Sequence, residues 1–345
     1  MYLDRTDARG DSWAIVLAGG DGTRLRSLTD DGAGNAVPKQ FCSFVGGASL
    51  LAQAFTRAHA VIGRERTTTI VSAAHARYWQ SLQRTLPADN LVVQPTNRGT
   101  GIGLLLPALR IVERDPAARI LIVPSDHYVE DESALAVAAR LALQEVQKPH
   151  ARGIALLGLA ADVPDTELGY IVPGRAHGAF FDVERFLEKP SHDEAGRLVR
   201  RGALWNSFIL ACRAHCLIEL FVTRCPEVVE VLRATDLHDY AAIVRIYEQL
   251  PQLDFSRDIV IGQEGRLAVM PVPHCGWSDL GTPERLAEAL AHCAPPSAVA
   301  ATSSNAVESP VNLALRLRQR EEKATRESVG GRESVGSRES VGARG

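Results

Sequence analysis

The sequence predicts an α/β fold, a mostly parallel mixed sheet with helices on both faces. Three observations point there. Short, fully apolar runs recur along the first half of the chain, helical stretches separate them, and from about Gly169 the pattern becomes more mixed.

The first run, Trp13-Ala14-Ile15-Val16-Leu17-Ala18, empties into Gly19-Gly20 and reads as a buried parallel strand ending in a loop. Thr69-Ile70-Val71, Leu91-Val92-Val93, Ile120 to Val123 and Ile154 to Leu157 repeat the pattern, with Leu50 to Ile62 and Gly103 to Glu113 as helices between them. Strands at Tyr170 to Val172 and Phe181 to Phe186 and a helix near Asp193 to Arg201 follow, as a second lobe on the same sheet. Helical segments then run from His215 to Leu250, a strand falls near Leu267 to Val272, and a last helix spans Pro283 to about His292. The folded domain is therefore expected at residues 12–292. Across 293–345 the composition turns to Ala, Pro, Ser and Val, and Arg-Glu-Ser-Val-Gly starts at Arg326, Arg332 and Arg338. Such a low-complexity repeat cannot bury a core, and a disordered C-terminal tail is expected.

With 345 residues, of which 46% are hydrophobic, the chain can fill a sizeable core. A net charge of -3, from 38 basic and 41 acidic side chains, and the lack of a long basic stretch argue against a nucleic-acid partner. The Trp13–Ala18 run is far shorter than the roughly 20 residues that span a bilayer, so no membrane association is expected and the chain reads as cytoplasmic. The six cysteines form no C-x-x-C pair. Cys212, His215 and Cys216 lack a fourth zinc ligand at suitable spacing, and reduced thiols are expected.

Gly19-Gly20-Asp21-Gly22-Thr23-Arg24-Leu25 leaves the first strand as a phosphate cradle: glycines let backbone N–H groups approach anionic oxygens, and a guanidinium adds a fixed positive fork. Leu25 stands where a dinucleotide fingerprint needs glycine, and Gly22-Thr23-Arg24 lacks the Gly-Lys of a Walker A loop. By themselves the glycines also fit a tight strand-to-helix turn. Asp126 follows the strand Ile120 to Val123, at the carboxyl end where open α/β sheets place ligands, and an oxygen ligand there suits Mg²⁺.

Gly-Gly-x-Gly-Thr-Arg-Leu followed by Pro38-Lys39-Gln40-Phe41 resembles the signature of mannose-1-phosphate guanylyltransferases, which belong to the sugar nucleotidyltransferases. The resemblance continues in order through Gln94-Pro95-Thr96-Asn97-Arg98-Gly99-Thr100, Val123-Pro124-Ser125-Asp126-His127, Gly169-Tyr170-Ile171, Phe186-Leu187-Glu188-Lys189-Pro190, Trp205-Asn206-Ser207 and Gly276-Trp277-Ser278-Asp279-Leu280-Gly281. It implies a Rossmann-like sheet of the nucleotide-diphospho-sugar transferase type. It also implies an enzyme that transfers a nucleotidyl group from a nucleoside triphosphate, GTP above all, to a sugar 1-phosphate such as mannose 1-phosphate, releasing pyrophosphate. The partners are then small-molecule substrates, and a homo-oligomer is compatible with the resemblance.

The resemblance also implies roles. Arg24, Lys39 and Asp126 would be catalytic, with Lys39 close to the charge that develops during transfer. Leu17, Gly19, Gly20, Gly22, Thr23, Arg24, Lys39, Gln94, Arg98, Thr100 and Ser125 would bind nucleotide. Gly169, Glu188, Lys189 and Asn206 would hold the sugar phosphate, and Asp126 with Asp279 would bind Mg²⁺. A sugar 1-phosphate is already an anionic nucleophile, so His127 is expected to pack or support rather than act as a base. Two departures stand out. Arg98-Gly99-Thr100-Gly101-Ile102-Gly103 replaces Arg-Asn-Thr-Ala-Pro-Ala, losing an asparagine side chain at position 99, and Phe208 stands where glycine is frequent, which is expected to narrow the sugar pocket. Another base or sugar, or a silent sugar-nucleotide sensor, remain alternative readings.

Overall fold

The apolar run at the start of the chain becomes β1 (Ser12–Ala18), in the parallel half of a nine-stranded mixed sheet. In this computed structural model residues 11–22, 29, 36–44 and 47–293 are described. The elements continue with α1 (Leu50–Val61), β2 (Thr67–Ser72), α2 (Ala76–Trp79), β3 (Leu91–Gln94), α3 (Gly99–Arg114), β4 (Arg119–Pro124), α4 (Glu132–Gln147) and β5 (Ile154–Ala160). After β6 (Gly169–His177), β7 (Phe180–Glu188), α5 (His192–Arg200) and β8 (Leu204–Arg213) come α6 (Ala214–Arg224), α7 (Pro226–Arg233), α8 (Tyr240–Tyr247) and β9 (Leu267–Pro271). No helix among the described residues is long and apolar enough to cross a membrane.

The strand order is β3-β2-β1-β4-β8-β5-β9-β7-β6. The first four strands are parallel, as their unbroken apolar runs predict. The other half is mainly antiparallel: β8 inserts between β4 and β5, antiparallel to both, while β6 and β7 form a hairpin.

Strand periodicity divides the core. Trp13 and Ile15 join one apolar cluster with Leu104, Leu105, Leu217 and Val228, whereas Ala14 and Val16 join another with Leu51, Ala54, Leu135 and Ala142. Helices thus cover both faces. Their starts follow capping chemistry: Ser49 Oγ accepts the Ala52 N–H of α1, Asp131 Oδ1 accepts two N–H groups of α4, and Pro226 opens α7.

All of this lies in one unit, which holds the described residues up to Ser43 and from Gly47 to Gly281. From Thr282 a second unit begins, in which α9 (Pro283–Cys293) starts on a Thr282 hydroxyl that accepts the Arg285 N–H. The tail from 294 and its repeat lie outside the described residues.

Candidate active site

A cleft of about 480 Å³, within the range of small-ligand sites, opens at the carboxyl ends of β1, β3 and β4. It gathers residues that the sequence scatters from Leu17 to Gly281.

The loop after β1 forms its floor. Gln40, buried in the turn after Pro38, donates through Nε2 to Gly20 O at 2.8 Å and to Ala18 O at 3.2 Å. Gln94, at the end of β3, donates through Nε2 to Gly19 O at 3.1 Å. These bonds engage the carbonyls of Ala18, Gly19 and Gly20. The same bond fixes the Gln94 amide, whose buried Oε1 has no hydrogen-bond partner. Leu17, Gly19, Gly20, Gly22, Gln94, Thr100 and Ser125 all line the cleft. Thr23 and Arg24 lie outside the described residues.

Arg98 is placed differently from expectation. It is absent from the cleft lining, and its guanidinium donates to Glu248 O at 3.3 Å, because the segment after α8 folds over the start of α3. Leu253 grips that helix end, its N–H donating to Arg98 O and its carbonyl accepting Gly101 N–H. Gly99 has φ +84, and a Cβ there would overlap the Leu253 carbonyl. The missing asparagine at position 99 is therefore a packing requirement of this chain.

At the next wall Lys39, Asp126 and Asp279 converge. Ser125 N–H donates to Leu17 O at the end of β4, and Tyr128 and Ser278 exchange both backbone hydrogen bonds in an isolated bridge that draws the Asp279 loop to the Asp126 strand. Lys39 Nζ lies between them, 2.9 Å from Asp126 Oδ2 and 2.6 Å from Asp279 O. Burial pushes the Asp126 carboxyl up, but the Lys39 ammonium, by its charge and its hydrogen bond, outweighs it and holds the group below the usual carboxylate range. Burial also lowers His127, to about 4 despite Asp126 beside it, so its ring is neutral. Trp277 Nε1 donates to His127 Nδ1 at 3.2 Å, which leaves the other nitrogen protonated toward Asp126. His127 Nε2 lies 3.7 Å from Asp126 Oδ1, and its ring packs edge-on against Trp277.

The far wall presents Gly169, Glu188, Lys189 and Asn206 together. Gly169 pairs with Glu188 in the β6–β7 hairpin, and a Cβ on it would lie 2.6 Å from Glu188 Oε2 and 3.3 Å from Asn206 Cβ. Only a glycine lets carboxylate and amide approach from two strands. Burial, then the charge of Asp254, push Glu188 up to about 7, against Lys189 and a Ser256 hydrogen bond. Asp254 and Ser256 also line the cleft and carry no motif by which the sequence announces them. Lys189, Phe208 and Leu280 have φ of 49, 57 and 46, the positive-φ non-glycine residues among those described, and all three line this cleft.

The donor set fits a magnesium ion. No group of three or more metal-binding side chains occurs among the described residues; Asp126 and Asp279, both in the cleft lining, would be the one or two carboxylates with which Mg²⁺ is usually held alongside substrate phosphates.

A family model described as nucleotidyl transferase matches residues 13–294. A putative mannose-1-phosphate guanylyltransferase of Vibrio cholerae is 27% identical over 283 residues, covering 78% of this chain and 58% of that protein. The mannose-1-phosphate guanylyltransferase ManC of Salmonella typhimurium is 28% identical over 296 residues, covering 81% and 60%. The chain thus spans about three fifths of the length of these curated relatives. Among solved structures, mannose-1-phosphate geranyltransferase from Thermus thermophilus superposes with a TM-score of 0.68 at 30% identity, over 79% of this chain and 76% of that one. Mannose-6-phosphate isomerase from Helicobacter pylori shares the fold, with a TM-score of 0.60 at 20% identity over 78% and 99%.

Proposed function

Because the chain belongs to the nucleotidyl transferase family, we propose that its cleft joins GTP to mannose 1-phosphate, giving GDP-mannose and pyrophosphate. One observation carries this reading: a single cleft holds the glycine loop, the Lys39–Asp126–Asp279 cluster and the Gly169–Glu188–Lys189–Asn206 wall. A phosphate-binding floor, a charge-neutralising wall and a wall of hydroxyl and anion partners are what joining two phosphates and a sugar requires.

An oxygen of the sugar phosphate attacks the α-phosphorus, a P–O bond forms, and the bond to the departing pyrophosphate breaks, taking its electron pair with it. Holding these three groups in line is most of the catalysis. Lys189 offers an ammonium to the sugar's phosphate, while Glu188 accepts from sugar hydroxyls. Lys39 neutralises charge at the transfer point. Asp126 and Asp279 would hold Mg²⁺, which when bound neutralises phosphate charge and aligns the reacting oxygens. The substrates are small molecules, and we assign the reaction to the cytoplasm.

Pyrophosphate release across GTP, ATP, UTP, CTP and dTTP against mannose, glucose and fucose 1-phosphates tests the proposal. GTP with mannose 1-phosphate is expected to be the best pair. A clear preference for UTP or dTTP would remove the guanine assignment and spare the reaction class. Silence with every pair would favour a sugar-nucleotide sensor.

A further inference from the structure

Phe208 holds φ +57, a left-handed conformation in which a bulky side chain is an outlier. Such backbone persists where its surroundings over-determine it. Here they do. Asn206 Oδ1 accepts the Phe208 N–H at 3.1 Å, the Ser207 hydroxyl donates to Leu157 O at 2.6 Å and accepts the Ile209 N–H, and the β5–β8 register shifts between Leu156 and Gly158.

The turn sets the Phe208 ring edge-to-face on Phe255, with centroids 5.8 Å apart at 65°. Phe255 is 3% exposed, packs on Phe221, and is pinned by its N–H to Thr100 Oγ1 at 2.8 Å. Phe208 itself is only half-buried and lines the cleft. The ring is therefore backed by an aromatic that cannot retreat. Its neighbour Asn206 has its carbonyl engaged by the turn and keeps its amide nitrogen for a ligand, beside Glu188.

We propose that Phe208 sets the size of the sugar pocket, as a rigid wall next to the hydroxyl-binding pair Glu188 and Asn206. The cleft then accepts unsubstituted hexose 1-phosphates and rejects those enlarged by an N-acetyl group. Polar partners orient the sugar, and shape excludes the larger one by clash with a wall that has nowhere to go. This inference rests on the reading of the cleft as a sugar 1-phosphate site.

The test is equilibrium binding, by titration calorimetry, of glucose 1-phosphate and N-acetylglucosamine 1-phosphate to the full chain, with mannose 1-phosphate as reference. Wild type, Phe208→Gly and Phe208→Ala are compared. Wild type should prefer the unsubstituted sugar at least ten-fold, and both variants should shrink that preference about ten-fold. Phe208→Gly should melt above Phe208→Ala, because glycine alone relieves the left-handed backbone. An unchanged preference in both variants would overturn the proposal and make the ring core packing. Pyrophosphate release by wild type is read in parallel. Selective binding without release would sink the proposed reaction but keep the wall, whereas release with an unchanged binding ratio would sink the wall alone. No binding of any sugar 1-phosphate, together with no release, would overturn both.

Discussion

Lys39 Nζ stands 2.9 Å from Asp126 Oδ2 and 2.6 Å from the main-chain oxygen of Asp279, so one buried ammonium ties together two acidic loops far apart in the sequence. A cation between them offsets the repulsion that two carboxylates aimed at one metal would feel. Asp126→Asn or Asp279→Asn keeps size and much hydrogen bonding but removes a charge. Turnover should fall by about 10² or more, roughly 3 kcal/mol of barrier, in a pyrophosphate-release assay at varied Mg²⁺. If both carboxylates serve one ion, the double variant should cost much less than the product of the single losses. Multiplicative losses would break the shared-ion claim.

The same geometry predicts that Lys39→Arg does not rescue function. Three acceptors, Asp126 Oδ2, Asp279 O and Leu280 O, surround a compact ammonium at a site only 6% exposed. A planar guanidinium is larger and spreads its donors in a fork. Turnover should drop at least about ten-fold relative to wild type. Wild-type kcat in Lys39→Arg would show that the charge alone matters.

Glu188 supplies a pH signature. Its carboxyl is pushed up to about 7 in the fold, from 4.5, first by burial and then by Asp254. Between these values the folded chain keeps a proton that the unfolded chain has lost. The stability from this group is full below 4.5 and is lost as pH rises through about 7. Glu188→Gln cannot titrate, so the wild-type Tm should fall relative to this variant as pH rises across that window. Sugar 1-phosphate binding should run the other way, strengthening in wild type as the carboxylate forms near pH 7, with a flatter profile in Glu188→Gln. Parallel Tm profiles for the two proteins would contradict the raised carboxyl.

Much of the site was legible because its parts sit where chain chemistry forces them. The β1 run had to end at Gly19-Gly20, and Asp126 had to follow the buried β4 at its carboxyl end. What was not legible depends on distant pairings. The apolar pattern assigns no element to residues 204–213, and nothing in them says that β8 enters between β4 and β5 or that Phe208 turns left-handed there. Asp254 and Ser256 reach the cleft only because Leu253 is clamped to the start of α3, and the same clamp turns Arg98 to Glu248. Motif order identified the neighbourhood of Arg98 without fixing where its side chain points.

Gly99 tests that clamp directly. Its φ is +84, and a methyl group there would overlap the Leu253 carbonyl, which is main chain and already bonded to Gly101 N–H. Relief would require the 251–256 segment to move, taking Asp254 and Ser256 out of place beside Glu188. Gly99→Ala should therefore cost more than about 1 kcal/mol, since alanine is strained at positive φ even before the overlap is counted. That corresponds to a Tm loss of at least about 2–4 °C for a domain of this size. Gly265→Ala is the control: it has open space around its Cβ and no positive φ, and should stay within about 0.5 kcal/mol of wild type. A Gly99→Ala protein as stable as the Gly265→Ala control would mean that the glycine is not demanded by packing, and would return position 99 to the question of which base the cleft selects.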